Sequence, residues 1–174
     1  DVVVNPGLRA SVLISAADLA QQLNNPNYQI IDIAQIPEEY AEGHIAGALF
    51  VDWRMDITDP AVPDLFNLPP QAMYEGLMDR LGVTPDTTVV LYDNFNSRFA
   101  TRVFWTMRYY GHNTIKILDG GRGAWLAAGF DITEEQLENI IAQDEKELNI
   151  VNIDPINKGP YILETLKIDK NSNK

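Results

Sequence analysis

Asp93 is the residue whose position most suggests chemistry. It ends the apolar run Val89-Val90-Leu91-Tyr92 and opens the loop Asp93-Asn94-Phe95-Asn96-Ser97-Arg98, which leads into a helical pattern from Ser97 to Tyr110. A loop that leaves the carboxyl end of a parallel strand and enters a helix turns backbone N–H groups into a small cradle. The helix dipole adds partial positive charge there, so the cradle stabilises an anion. The Asp93 carboxylate can fill that cradle itself, or it can cap the helix or pair with Arg98. Use as a phosphate acceptor would need a second acid and a metal, and Asp93-Asn94-Phe95 offers no paired aspartate. Acid–base or hydrolytic chemistry on a bound anion through Asp93, His44 or Arg98 is the enzymatic alternative.

The other chemistry-bearing residues point to structure. His44 lies in the Gly-bounded turn Gly43-His44-Ile45-Ala46-Gly47-Ala48, and His112 follows Gly111 at a helix end. A lone histidine in such a turn is more often a satisfied hydrogen-bonding group than a catalyst. Two distant histidines do not make a metal site, so no metal and no cofactor is expected. Asp52, Asp56, Asp59 and Asp64 crowd around Arg54, but their spacing fits no EF-hand loop. The chain contains no cysteine, so it has no thiol nucleophile of its own.

The elements that position these residues alternate. Residues 1–10 read as a loose arm and Val12-Leu13-Ile14 as a short strand. Ser15 caps a helix with Asp18 three residues on, and Asn24-Asn25-Pro26 stops it. Gln29-Ile30-Ile31-Asp32-Ile33 is a continuous strand of the kind covered on both faces. A helical turn follows at Pro37, then a strand at Ala48-Leu49-Phe50-Val51. Residues 52–70 form a long proline-rich stretch, which is functional or wraps the core. A helix spans Gln71 to Leu81, with Met73, Leu77, Met78 and Leu81 on one face and Gly82 ending it. Ile115 to Leu118 is the last core strand, and Gly123 to Ala128 a short helix. Thr133 with Gln136 reads as the cap of an acidic helix near 134–149, and the tail as frayed. The alternation predicts an α/β layered sheet.

The whole-chain numbers agree. With 174 residues, 45% hydrophobic and 22% charged, the chain suits one well-buried domain. A net charge of -12 repels phosphate backbones, so no nucleic-acid partner is expected. No apolar run approaches the roughly 18 residues needed to span a bilayer, so no membrane insertion is expected. The first residue is Asp1, and the absence of cysteine fits an exported protein, so an extracytoplasmic (periplasmic) location is the expectation.

Three segments taken together resemble the rhodanese family of sulfurtransferases. They are Glu42-Gly43-His44-Ile45-Ala46-Gly47-Ala48, the strand and loop ending Tyr92-Asp93, and Asp119-Gly120-Gly121 followed by Ala124-Trp125. In active members the residue just past the central strand is a cysteine that carries the transferred sulfur; here it is Asp93. The basic residue common after that cysteine is replaced by Asn94 and the usual loop glycine by Asn96, while Arg98 keeps a familiar type. The resemblance makes Asp32, Gly43, His44, Gly47, Asp119, Gly120, Gly121 and Trp125 structural, with Trp125 in the core. Phe50-Val51-Asp52, Leu91-Tyr92-Asp93, Arg102-Val103-Phe104-Trp105 and Tyr110-Gly111-His112 further look like the first half of two-domain thiosulfate or 3-mercaptopyruvate sulfurtransferases. In those enzymes the cysteine sits in the second half.

The resemblance implies a rhodanese-like α/β fold over residues 12–132, with a mainly parallel central sheet and helices on both faces. An N-terminal arm over 1–11 and an acidic helix with a tail over 133–174 flank it. Loop 93–98 is the expected anion-binding loop, and no catalytic residue is expected on this chain. The expected function is that of a non-catalytic regulatory or binding module, or of the amino-terminal half of a two-domain sulfurtransferase. The expected partner is a cysteine-bearing second domain or another protein.

Overall fold

The computed structural model describes residues 6–62 and 67–135. Five strands form one sheet: β1 (Leu13–Ile14), β2 (Tyr28–Ala34), β3 (Leu49–Asp52), β4 (Thr88–Tyr92) and β5 (Ile115–Leu118). Their order is β1-β5-β4-β2-β3, and every pairing is parallel. The expected mainly parallel sheet is thus wholly parallel among the described strands.

Parallel neighbours require crossovers, and four helices supply them: α2 (Ala16–Ala20), α3 (Pro37–Ala41), α4 (Gln71–Arg80) and α5 (Arg98–Tyr109). Two more, α1 (Pro6–Val12) and α6 (Gly121–Ala127), precede and follow the strands. Successive strand residues point to opposite faces, so β4 feeds two cores. Val89 and Leu91 pack with Leu77 of α4 and with Phe99, Val103 and Met107 of α5. Val90 and Tyr92 pack with Leu19 of α2, Ile45 and Trp125 of α6. Both sides of β4 are covered, which is why its sequence is apolar at consecutive positions.

The amino-terminal arm departs from expectation. Residues from Pro6 to Val12 form α1, so β1 begins at Leu13. Proline suits the first turn of a helix, and two contacts anchor α1. Arg9 pairs with Asp119, and the Ala10 carbonyl accepts from Lys116 Nζ at 2.9 Å. No short-range pattern announced these contacts across the fold.

Other boundaries follow local chemistry. The Ser15 hydroxyl accepts from Asp18 N–H at 3.1 Å, as its capping position predicts. Of the expected α4 face, Leu77 and, just past the helix, Leu81 are buried and Met78 packs against the same core, while Met73 is only half-buried; Tyr74 also faces inward and stacks on Tyr110 at 4.4 Å. The proline-rich stretch wraps the core: Trp53 and Ile57 are buried, and Trp53 stacks on Phe99 at 4.8 Å. Arg102 of α5 donates to the carbonyls of Ile57 and Asn67, and Tyr110 to that of Pro69. The acids there serve turns. Asp56 pairs with Arg80 at 2.6 Å and accepts from Asp52 N–H, while Asp59 accepts from Ala61 N–H. The expected acidic helix near 134–149 falls, beyond Glu135, outside the described residues, as does Asp64.

Candidate anion-binding loop

The buried strand β4 delivers Asp93 to the sheet's carboxyl edge, where its side chain is 1% exposed. Four backbone N–H groups converge on its carboxylate. Oδ1 accepts from Phe95 and Ser97, each at 2.8 Å. Oδ2 accepts from Phe99 at 2.7 Å and Ala100 at 2.9 Å. Phe99 and Ala100 lie in the first turn of α5, whose amides have no intrahelical partner. Filling the cradle and capping the helix, separate readings from sequence, are one arrangement. Among the described residues no ion pair joins Asp93 to Arg98, whose guanidinium lies 5.5 Å over the Phe99 ring.

The loop reaches this shape through two consecutive left-handed residues, Asn96 (φ 55°) and Ser97 (φ 61°). Asparagine visits that region at low cost and serine less readily. Ser97 stands at the N-cap position of α5, but its side chain makes no capping bond. The aspartate at position 93 supplies that cap instead. Asn94 and Asn96 are exposed at the loop's outer side.

A second loop buttresses the first. The Arg122 N–H donates to the Asp93 carbonyl at 3.2 Å. Gly121 (φ 58°) presses so close that a Cβ would fall 2.4 Å from that same oxygen. The Arg122 guanidinium then reaches the carbonyls of Glu39, at 3.1 Å, and Gly43. The sequence named Asp119, Gly120 and Gly121 but passed over Arg122. Asp119 itself is exposed, and its N–H donates to the Ile14 carbonyl at 2.9 Å.

His44 is held inside the turn. It is 4% exposed, its ring stacks on Tyr40 at 3.8 Å, and Nδ1 lies 3.0 Å from the Tyr40 carbonyl. Its backbone exchanges two hydrogen bonds with Thr133. Gly47 makes the exposed bend that follows, with φ 75°. His112 Nε2 meets the Thr87 carbonyl at 3.0 Å and closes the end of α5. Trp125 is core, with Nε1 donating to the Asp131 carbonyl at 2.8 Å. Among the described residues no three acids and histidines come together as a metal site, and no helix is long and apolar enough to cross a membrane.

Sequence reasoning underrated Asp32. It lies within β2, in register with Tyr92, with 4% of its surface exposed and a hydrogen bond to Tyr92. Burial pushes its pKa up to about 7, against the Tyr92 hydrogen bond and nearby Arg122; the charges of Asp93 and Glu39 push the same way as burial. The Tyr92 hydroxyl accepts from Ile45 N–H at 2.9 Å and so links the strand ends to the His44 turn. Burial also holds the Tyr92 hydroxyl well above the usual phenol range. An acid inside an otherwise apolar strand was the available signal.

Comparison with known proteins identifies the family and the fold. The rhodanese-like domain model matches residues 15–128. The chain belongs to the rhodanese-like family. It is 36% identical over 124 residues to the sulfur carrier protein TtuD of Thermus thermophilus, covering 71% of this chain and 42% of that one. It is 32% identical over 127 residues to a putative thiosulfate sulfurtransferase of Mycobacterium tuberculosis, covering 73% and 45%. SseA of Escherichia coli, a 3-mercaptopyruvate sulfotransferase of rhodanese fold, superposes with a TM-score of 0.65 at 30% identity, over 71% of this chain and 50% of that one. The chain spans less than half the length of the curated relatives it matches.

Proposed function

We propose that this chain is a non-catalytic rhodanese-like domain, working as the amino-terminal half of a two-domain thiosulfate or 3-mercaptopyruvate sulfurtransferase. The observation that carries this reading is the set of four N–H bonds on the Asp93 carboxylate. In active rhodaneses the loop holds a sulfur-carrying cysteine. Here a hard, weakly nucleophilic carboxylate takes the loop's donors and cannot carry a persulfide. The matches to about half of longer sulfurtransferases favour a cysteine-bearing second domain as partner over a free-standing module. Acid–base catalysis through Asp93 or His44 is disfavoured, because both are buried and already hydrogen-bonded.

The test is direct. The chain is incubated with thiosulfate and cyanide, and separately with 3-mercaptopyruvate and a thiol acceptor. No turnover above the protein-free blank is expected. Turnover that survives repurification would overturn the reading.

A further inference from the structure

Helix α5 carries a second feature, away from the Asp93 cradle. Its inner face, with Phe99, Val103 and Met107, is buried as an amphipathic helix requires. Its outer face should then be polar, yet it presents Trp105 (68% exposed) and Tyr109 (69% exposed), one turn apart. Leu68 joins them along an open groove of about 800 Å³. Seven large hydrophobic side chains are exposed among the described residues, and three of them converge here. The two rings are fixed by edge-on contacts, Trp105 with Phe104 at 5.6 Å and Tyr109 with Tyr110 at 5.0 Å. Rigid aromatic groups lose little freedom on binding.

The groove is basic in a chain whose net charge is -12. Arg98 and Arg108 line it near the two ends of α5, about 15 Å apart along the helix. Among the described residues neither pairs with a carboxylate. Arg102 is turned instead towards the carbonyls of the proline-rich stretch. Among the described residues no acidic side chain lines the groove. Exposed Trp, Tyr and Arg together are the residue types that dominate binding hot spots.

We propose that this face of α5 docks an acidic, amphipathic protein segment, whose apolar side chains seat on Trp105 and Tyr109 and whose carboxylates meet Arg98 and Arg108. Charge complementarity selects the occupant. A second copy docked by the same face would set arginine against arginine. A nucleic acid carries a charge at every phosphate, so the chain's field repels it far more strongly than a segment with a few carboxylates placed opposite Arg98 and Arg108.

The tryptophans make the test specific, because Trp53 and Trp125 are buried and Trp105 is not. Acrylamide quenching of the full chain therefore reports Trp105. The probe is a synthetic peptide of about 15 residues, long enough for a helix, with leucine and phenylalanine one turn apart and glutamates between. Peptide is expected to protect Trp105 from quenching, with binding that weakens as salt rises. Arg108→Glu and Tyr109→Ala, which both leave the Trp105 reporter in place, should each weaken it by about tenfold or more, with unchanged circular dichroism because both side chains are exposed. Three results would overturn the proposal: no protection at millimolar peptide, equal binding of a lysine-for-glutamate version, or tighter binding of a single-stranded oligonucleotide.

Discussion

Gly121 stands against the carbonyl of Asp93, and a Cβ added there would lie 2.4 Å from the oxygen. Neither atom can withdraw freely, because the carbonyl follows directly on the buried strand β4 and Gly121 opens α6. Gly121→Ala is expected to cost about 2–4 kcal/mol, combining overpacking with a left-handed backbone. Urea denaturation measures it; a loss within about 0.5 kcal/mol would mean that the two loops do not touch.

Removing the Asp93 carboxylate should leave four inward-pointing N–H groups without their acceptor. Asp93→Ala is expected to lower stability by about 3 kcal/mol or more, the scale of several charge-assisted bonds offset by entering water. Asp93→Asn keeps one acceptor oxygen and should fall between the two. A midpoint for Asp93→Ala equal to wild type would show that the loop holds its own shape.

Asp93→Cys tests whether the cradle still favours a thiolate. The same amides and the α5 dipole should lower the thiol pKa below the ordinary value of about 8.5. Alkylation near neutral pH should then outpace that of a free thiol. Full sulfur transfer is not expected, because Asn94 leaves the loop without the basic residue next to the thiol. An ordinary alkylation rate would mean that the donors disperse once the carboxylate is gone.

Asp32 gives the fold a defined pH response. Its folded pKa of about 7 lies above the ordinary 3.8, so between those values the folded chain holds a proton that the unfolded chain releases. That contribution is complete below about pH 4 and is lost as pH rises through about 7. Asp32→Asn keeps a neutral acceptor for Tyr92 and removes the titration. Its stability relative to wild type should therefore improve from pH 5 to pH 8. Parallel stability curves over that range would mean that Asp32 does not titrate there.

Much of this was legible from short-range pattern. The apolar run at β4, the capping serine at 15 and the Gly-bounded turn around His44 announce themselves within a few residues. Long-range contacts do not. Arg122 binds the carbonyls of Glu39 and Gly43, and Tyr92 takes the N–H of Ile45; only the folded chain brings these partners together. The same holds for α1, whose anchors Lys116 and Asp119 lie on the other side of the sequence. Asp32 was visible as a residue, but its environment depends on three other elements closing over it.

The Asp93 carboxylate is a tethered ligand, and tethering changes its competition with dissolved anions. Attached through a single methylene to the strand that carries it, it stands beside its four donors at an effective concentration far above the millimolar range of short flexible linkers. Free sulfate or thiosulfate would have to displace a group that never diffuses away. Millimolar salts of either anion should therefore leave the chemical shifts of the Phe95, Ser97, Phe99 and Ala100 amides where they are.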